Sequence, residues 1–162
     1  MRWDEAAAPC ACGSRGCVEA YVGGSYLEKR IARELTGNGR GKRKPNAAVQ
    51  LAGSIEQVTP SHVDQAATDG DDWALGLWTD VSTLLAIALG NALAILDSER
   101  LVLGGGLLSR TPMLFELVET ALLVVTPQPI LERFDVVAAE LGDNAGLVGA
   151  AALAADGVGR IA

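Results

Sequence analysis

RLVLGGGLLSRTPMLFELVETALLVVTPQPILERFDVVAA, residues 100–139, is the stretch whose reading decides the fold. Arg100-Leu101-Val102-Leu103 is a short apolar run of strand length, and it runs straight into Gly104-Gly105-Gly106. Thr111-Pro112 marks a helix start, because proline at the first turn loses an N–H that has no intrahelical partner anyway. The helix is expected to continue to about Val125 and to stop before Pro127 and Pro129. Phe134 to Ala139 then reads as a second buried strand. Strand, helix, strand at this spacing is a right-handed crossover, so the two strands should be parallel. Two strands alone leave unpaired N–H and C=O groups on both outer edges. The missing strands are expected upstream of Met1 or on another chain.

Working outward, Asp143 is expected to cap a final helix of small residues, Asn144 to Ala155, which Gly157 can end. On the other side, a strong helix should run from Asp72 to about Leu96. Trp73, Leu77, Val81, Leu84, Leu85, Ala88, Ala92 and Ile95 are expected on its buried side. Its most apolar part, Val81 to Leu96, is broken by Ser82, Thr83, Gly90 and Asn91 and is shorter than the roughly 18 residues of a membrane span. It therefore reads as a buried helix of a protein that does not enter a membrane. Short helices are expected near Ala47 and after Ser61, with a turn-rich loop from Gly37 to Pro45. Val18, Val22, Tyr26 or Leu27, Ile31 and Leu35 recur near the helical period. Gly23-Gly24 interrupts that pattern, and Ser25 with Glu28 fits a capping box for its longer part.

Hydrophobic residues make up 49% of the 162, enough for one domain with a real core and too many for a disordered chain. The formal net charge of -7 disfavours direct nucleic-acid binding, since a phosphate backbone repels an acidic surface. The basic cluster Arg40, Lys42, Arg43 and Lys44 sits among Gly39, Gly41 and Pro45 and reads first as a solvated loop. No secretory signal opens the chain, because Met1-Arg2-Trp3-Asp4-Glu5 turns acidic where an apolar segment should begin. A cytoplasmic location is expected, where thiols stay reduced and clustered cysteines point to metal before disulfide.

Such a cluster is present. Cys10-Ala11-Cys12-Gly13-Ser14-Arg15-Gly16-Cys17-Val18-Glu19 places three thiols in a knuckle tightened by Gly13 and Gly16. Three thiolates can take three corners of a zinc tetrahedron, and a structural site needs a fourth ligand. The only histidine, His62, is remote in sequence and reads as a surface or helix-capping residue. Spacing alone leaves zinc and three reduced, metal-free cysteines both open.

The run from Cys10 to Glu19 resembles the C-x-C-G-x-x-G-C-x-E signature of the ROK family (repressor, open reading frame, kinase). Leu93–Leu107, LAILDSERLVLGGGL, and Leu141–Ala152, LGDNAGLVGAAA, resemble that family's Gly-rich turn region and its terminal helix start. The resemblance implies an α/β architecture: the C-terminal portion of an actin-like ATPase (ribonuclease H-like) domain, helix-rich with a short parallel strand pair. Residues 1–162 would form a single domain, with the N-terminal phosphate-loop domain absent. It implies zinc held by Cys10, Cys12 and Cys17, sugar hydroxyls bound by Glu19, and a nucleotide approached by Gly104, Gly105 and Gly106. Backbone N–H groups of a Gly-rich turn can reach an anion without side-chain obstruction.

The departures matter equally. The family's histidine before the first cysteine is missing from Met1–Pro9, so the zinc site is short of a ligand. The D-x-G-x-T phosphate loop and the catalytic aspartate have no match, so no catalytic residue is assigned. The implied function is a fragment of an ATP-dependent hexose kinase, inactive alone, with ATP and Mg²⁺ engaged only when the missing half is present. The alternatives are the sugar-sensing domain of a ROK-type repressor and a degenerate oligomerisation module. Implied partners are a hexose and either further copies of the chain, as a dimer or tetramer, or a complementing N-terminal half.

Overall fold

The computed structural model describes residues 7–37 and 46–159. The basic cluster Arg40 to Lys44 lies outside the described residues. The chain forms α1 (Glu19–Val22), α2 (Gly24–Thr36), α3 (Ala47–Ala52), α4 (Pro60–Thr68), α5 (Asp72–Leu96), β1 (Arg100–Leu103), α6 (Pro112–Val125), α7 (Gln128–Leu131), β2 (Asp135–Ala138) and α8 (Ala145–Gly159). Among the described residues β1 and β2 form the one sheet. They pair in parallel, with Arg100 opposite Asp135 and Leu103 opposite Ala138. The second strand begins at Asp135 rather than Phe134. The Asp135 amide makes the first ladder bond, to Glu99, while the Phe134 ring packs on the core. Arg100 meets the Asp135 carboxylate at 3.0 Å, but both are exposed, so the pair adds little stability.

The core is helical. Trp78 and Val81 of α5 pack with Val63 of α4 and with Leu114, Val118 and Leu122 of α6. The buried face of α5 differs from the expected one. Ala74, Leu77, Trp78, Val81, Ser82, Ala86, Gly90 and Leu93 are inside, whereas Ile95 is 82% exposed and Ala92 faces solvent. The helix is apolar nearly all round, so periodicity carries little contrast, and close helix packing selects the small side chains instead. A Cβ on Gly90 would lie 3.2 Å from a Val125 methyl, which shows how near α6 approaches. By length and composition α5 is long and apolar enough to cross a membrane. The apolar run thus extends beyond the Val81–Leu96 segment recognised in the sequence, and the buried face of α5 packs on α4 and α6.

Asp64 of α4 ties the core together. Its carboxylate, 4% exposed, accepts from Trp78 Nε1 at 2.8 Å and from the backbone amides of Met113 and Leu114 at 3.2 and 3.0 Å. The last two are orphan donors at the start of α6, so a side chain from another helix serves as its N-terminal cap.

Two other sequence expectations change at helix ends. No Ser25 capping bond forms; α2 starts at Gly24 behind an extended Gly23. The last helix runs through Gly157 to Gly159, and it starts after a 3-10 turn, Gly142–Asn144, that includes Asp143. The Asp143 side chain lies outside the described residues. Leu147 and Leu153 of α8 are 74% and 75% exposed, so this apolar helix stands off the core.

Candidate functional site

The cysteine knuckle is a short hairpin. Pro9 and Arg15 pair across it, the Cys10 amide donates to Ser14 at 2.9 Å, and the Gly16 amide donates to Ala8 at 2.9 Å. Gly13 and Gly16 sit at φ +86° and +72°, a left-handed backbone that L side chains resist, which explains the two glycines in the knuckle. Arg15 anchors the hairpin by donating to the Ala7 carbonyl at 3.0 Å.

The three sulfurs converge. Cys12 Sγ and Cys17 Sγ are 3.6 Å apart, and all three lie within 4.8 Å of one another. Thiolates on a tetrahedral zinc, with bonds of about 2.3 Å, stand about 3.8 Å apart, so the spacing fits three ligands of such an ion. Their protons report the same crowding. The Cys12 backbone amide hydrogen-bonds the Cys10 sulfur and, with the Cys12, Cys17 and Tyr26 side chains, holds that thiol below its ordinary value. The Cys17 thiol is pushed up to about 11, first by its hydrogen bond with Cys12, then by Cys10, burial and the charges of both. Negative charge accumulating on neighbouring sulfurs is what a bound dication neutralises. Among the described residues no fourth His, Cys, Asp or Glu joins the group. His62 is used elsewhere: its Nδ1 accepts from the Thr59 amide at 3.1 Å in a capping box at the start of α4.

Tyr26, read in the sequence only as a helix position, and Tyr21, not singled out there, hold the knuckle in place. Tyr21 Oη accepts from the Ala8 amide at 3.1 Å, and Tyr26 Oη accepts from the Ala11 amide at 2.6 Å. The Ala11 amide favours a Tyr26 phenolate, but burial, the hydrogen bond to Cys10 and the charges of Cys10 and Glu19 outweigh it and raise that phenol above its ordinary value. Glu19 opens α1, two residues beyond Cys17, with its side chain in solvent.

The position of Glu19 depends on Gly23. A Cβ there would lie 2.6 Å from the Glu19 carbonyl oxygen and 2.8 Å from its Cγ. Gly23→Ala is therefore expected to displace Glu19 and to lower stability by roughly 1–3 kcal/mol, an overpacking cost that thermal unfolding checks.

The glycine triplet is exposed beyond β1. Gly104 lies against the second strand, and Gly105 has φ +98°. Gly106, Leu107 and Arg110 line one side of a cleft of about 310 Å³. The starts of α2, at Gly24 and Glu28, and of α4, at Thr59 to Ser61, line the other. A larger groove of about 900 Å³ runs between Tyr21, Tyr26 and Arg33 on one side and Asp80 and Thr83 of α5 on the other. Glu19 lines neither cavity. The structure thus brings the cysteines, Tyr26 and Glu19 together, and places the glycine triplet at a separate cleft.

Residues 1–157 match the ROK family. The chain is 31% identical to a glucokinase of Thermotoga maritima over 150 residues, covering 93% of this chain and 46% of that protein. It is 34% identical to an N-acetyl-D-glucosamine kinase of Mannheimia succiniciproducens over 158 residues, covering 94% and 44%. Among solved structures, a ROK family glucokinase from Streptomyces griseus in complex with glucose and AMPPNP superposes with a TM-score of 0.72 at 25% identity, over 94% of this chain and 49% of that one. A ROK family transcriptional regulator superposes with a TM-score of 0.66 at 17% identity, over 85% and 33%, which shows a shared fold. The chain spans about half the length of the curated relatives it matches. The architecture is that of the actin-like ATPases, helix-rich with a parallel strand pair.

Proposed function

Because this chain belongs to the ROK family, we propose that it supplies one wall of the hexose site and one wall of the nucleotide site of an ATP-dependent sugar kinase. The observation that carries the reading is the meeting of Cys10, Cys12 and Cys17 within 4.8 Å, with Glu19 opening the helix that leaves them. Zinc held by the three thiolates would fix the knuckle, and its role here is structural. Glu19, whose side chain is exposed, can accept hydrogen bonds from two sugar hydroxyls, charge-assisted contacts that select polyols over apolar ligands. The cleft beside Gly106 would take the nucleotide, with Gly105 turning the backbone toward the anion and two helix starts facing it.

Phosphoryl transfer depends on a base, on in-line positioning and on metal-assisted charge stabilisation. None of the residues above is a base for the sugar hydroxyl, so we assign this chain binding and no proton transfer. Kinase lineage is favoured over a sugar-sensing repressor because the curated relatives matched at 31–34% identity are a glucokinase and an N-acetyl-D-glucosamine kinase.

Calorimetric titration of the zinc-loaded chain with glucose and with N-acetyl-D-glucosamine tests the reading. Saturable binding of at least one hexose, weakened about tenfold or more by Glu19→Gln, is expected for the loss of charge-assisted bonds. Binding that ignores Glu19→Gln, or no binding of either sugar, overturns the hexose wall. Zinc content is a separate readout. About one ion per chain, lost in Cys12→Ser, is expected, and a chain that takes up none overturns the metal assignment.

A further inference from the structure

We propose that Tyr26 is a positioning residue of the cysteine knuckle, its hydroxyl locking the Cys10 segment onto α2 while Tyr21 locks the same segment onto α1. The inference deepens the metal reading above and rests on it for its effect on affinity, but the clamp itself is visible without metal. Cys10 stands between the two amides that the tyrosines hold, Ala8 at 3.1 Å and Ala11 at 2.6 Å. The Tyr26 hydroxyl is also near enough to the Cys10 thiol to be among the groups that hold it below its ordinary value. Its oxygen accepts the Ala11 N–H, which fixes the backbone beside Cys10 and leaves its O–H available to the neighbouring sulfur. Outer groups of this kind orient metal ligands and stabilise the thiolate.

The break between α1 and α2 makes the clamp possible. In an unbroken helix, residues 21 and 26 would point about 140° apart, at 100° per residue. Gly23 instead has extended backbone, φ -66° and ψ 140°, and the turn it makes brings both rings to one loop and one groove. Lys29 lies over the Tyr26 ring, with Nζ 5.8 Å from the centroid. Tyr26 therefore has its ring, its hydroxyl and its helix all committed to the position of Cys10.

Tyr26→Phe keeps the ring and removes only the oxygen. In metal-free protein, amide exchange followed by NMR is expected to show the Ala11 N–H losing protection at least tenfold while Ala8 keeps its own. Tyr21→Phe should give the reverse pattern. In zinc-loaded protein, chelator competition is expected to show Kd raised about 10–100-fold by Tyr26→Phe, with zinc stoichiometry and far-UV circular dichroism retained. A purely packing role for the ring would leave both readouts unmoved. Unchanged Ala11 exchange overturns the clamp. Lost Ala11 protection with zinc affinity within twofold of wild type overturns its role in positioning the ligand. Should the unaltered chain take up no zinc, the metal reading fails by itself, and Ala11 exchange still decides whether the clamp exists.

Discussion

Asp64→Ala is expected to lower the unfolding free energy by roughly 3–5 kcal/mol, the sum of a lost cap and of donors left buried without an acceptor. The carboxylate serves three donors at once: the Trp78 indole and the amides of Met113 and Leu114. Alanine supplies no acceptor, and the site is too enclosed for bulk water to replace it; Trp78 and Leu114 are both fully buried. For a domain of this size each kcal/mol moves the melting temperature by about 2–4 °C, so a fall on the order of 10 °C should appear in a thermal melt. Asp64→Asn can keep the oxygen that serves Trp78 and Leu114 but turns an N–H toward the Met113 amide, so its loss should be smaller than that of alanine and still measurable. A urea titration giving less than 1 kcal/mol for Asp64→Ala would show that α6 is not held by this carboxylate.

Gly104→Ala should destabilise the chain by roughly 1–3 kcal/mol, and here the cause is a collision. The added Cβ would stand 2.6 Å from Ala139 Cβ, well inside van der Waals contact. Neither atom can rotate away, because both are fixed by backbone. The collision falls where the Ala139 amide closes the ladder on Leu103 at 2.8 Å, so the strands must part or the turn must move. Denaturant unfolding checks the magnitude. Restoration by Ala139→Gly in the double variant checks the mechanism, since that change removes the opposing atom.

The sequence made some of this legible because the signals were local. The glycine triplet, Pro112, Pro127 and Pro129 punctuate the β1–α6–β2 unit, and each acts through its own backbone, so the unit and its parallel pairing could be read. The cysteine knuckle was legible for the same reason: eight residues with two glycines leave the thiols few places to go. Features set by distant partners were not. Asp64 meets α6 some 50 residues later, and nothing about it as one carboxylate in a short helix announces that. Tyr26 read as an apolar helix position because its oxygen finds a loop 15 residues back. The buried face of α5 was obscured by its uniform apolarity, and Ser25 lost its expected cap when the Gly23 turn set the start of α2.

The two strands meet across about 35 residues through four pairs, and Val102 in the middle of the first is 58% exposed. The helices α4, α5 and α6 have the deep packing, so the molecule is unevenly tied together. Sub-global opening of the strand pair would give up Leu103 and the partly buried Leu101 and Val136, less apolar surface than the packing among the three helices. That opening would dissolve the turn at Gly104 to Gly106, whose last residue lines the smaller cleft beside Leu107. A ligand seated there would act as a clasp: its binding energy would be felt first as slower breathing of β1 and β2, and only later as resistance of the whole chain to heat.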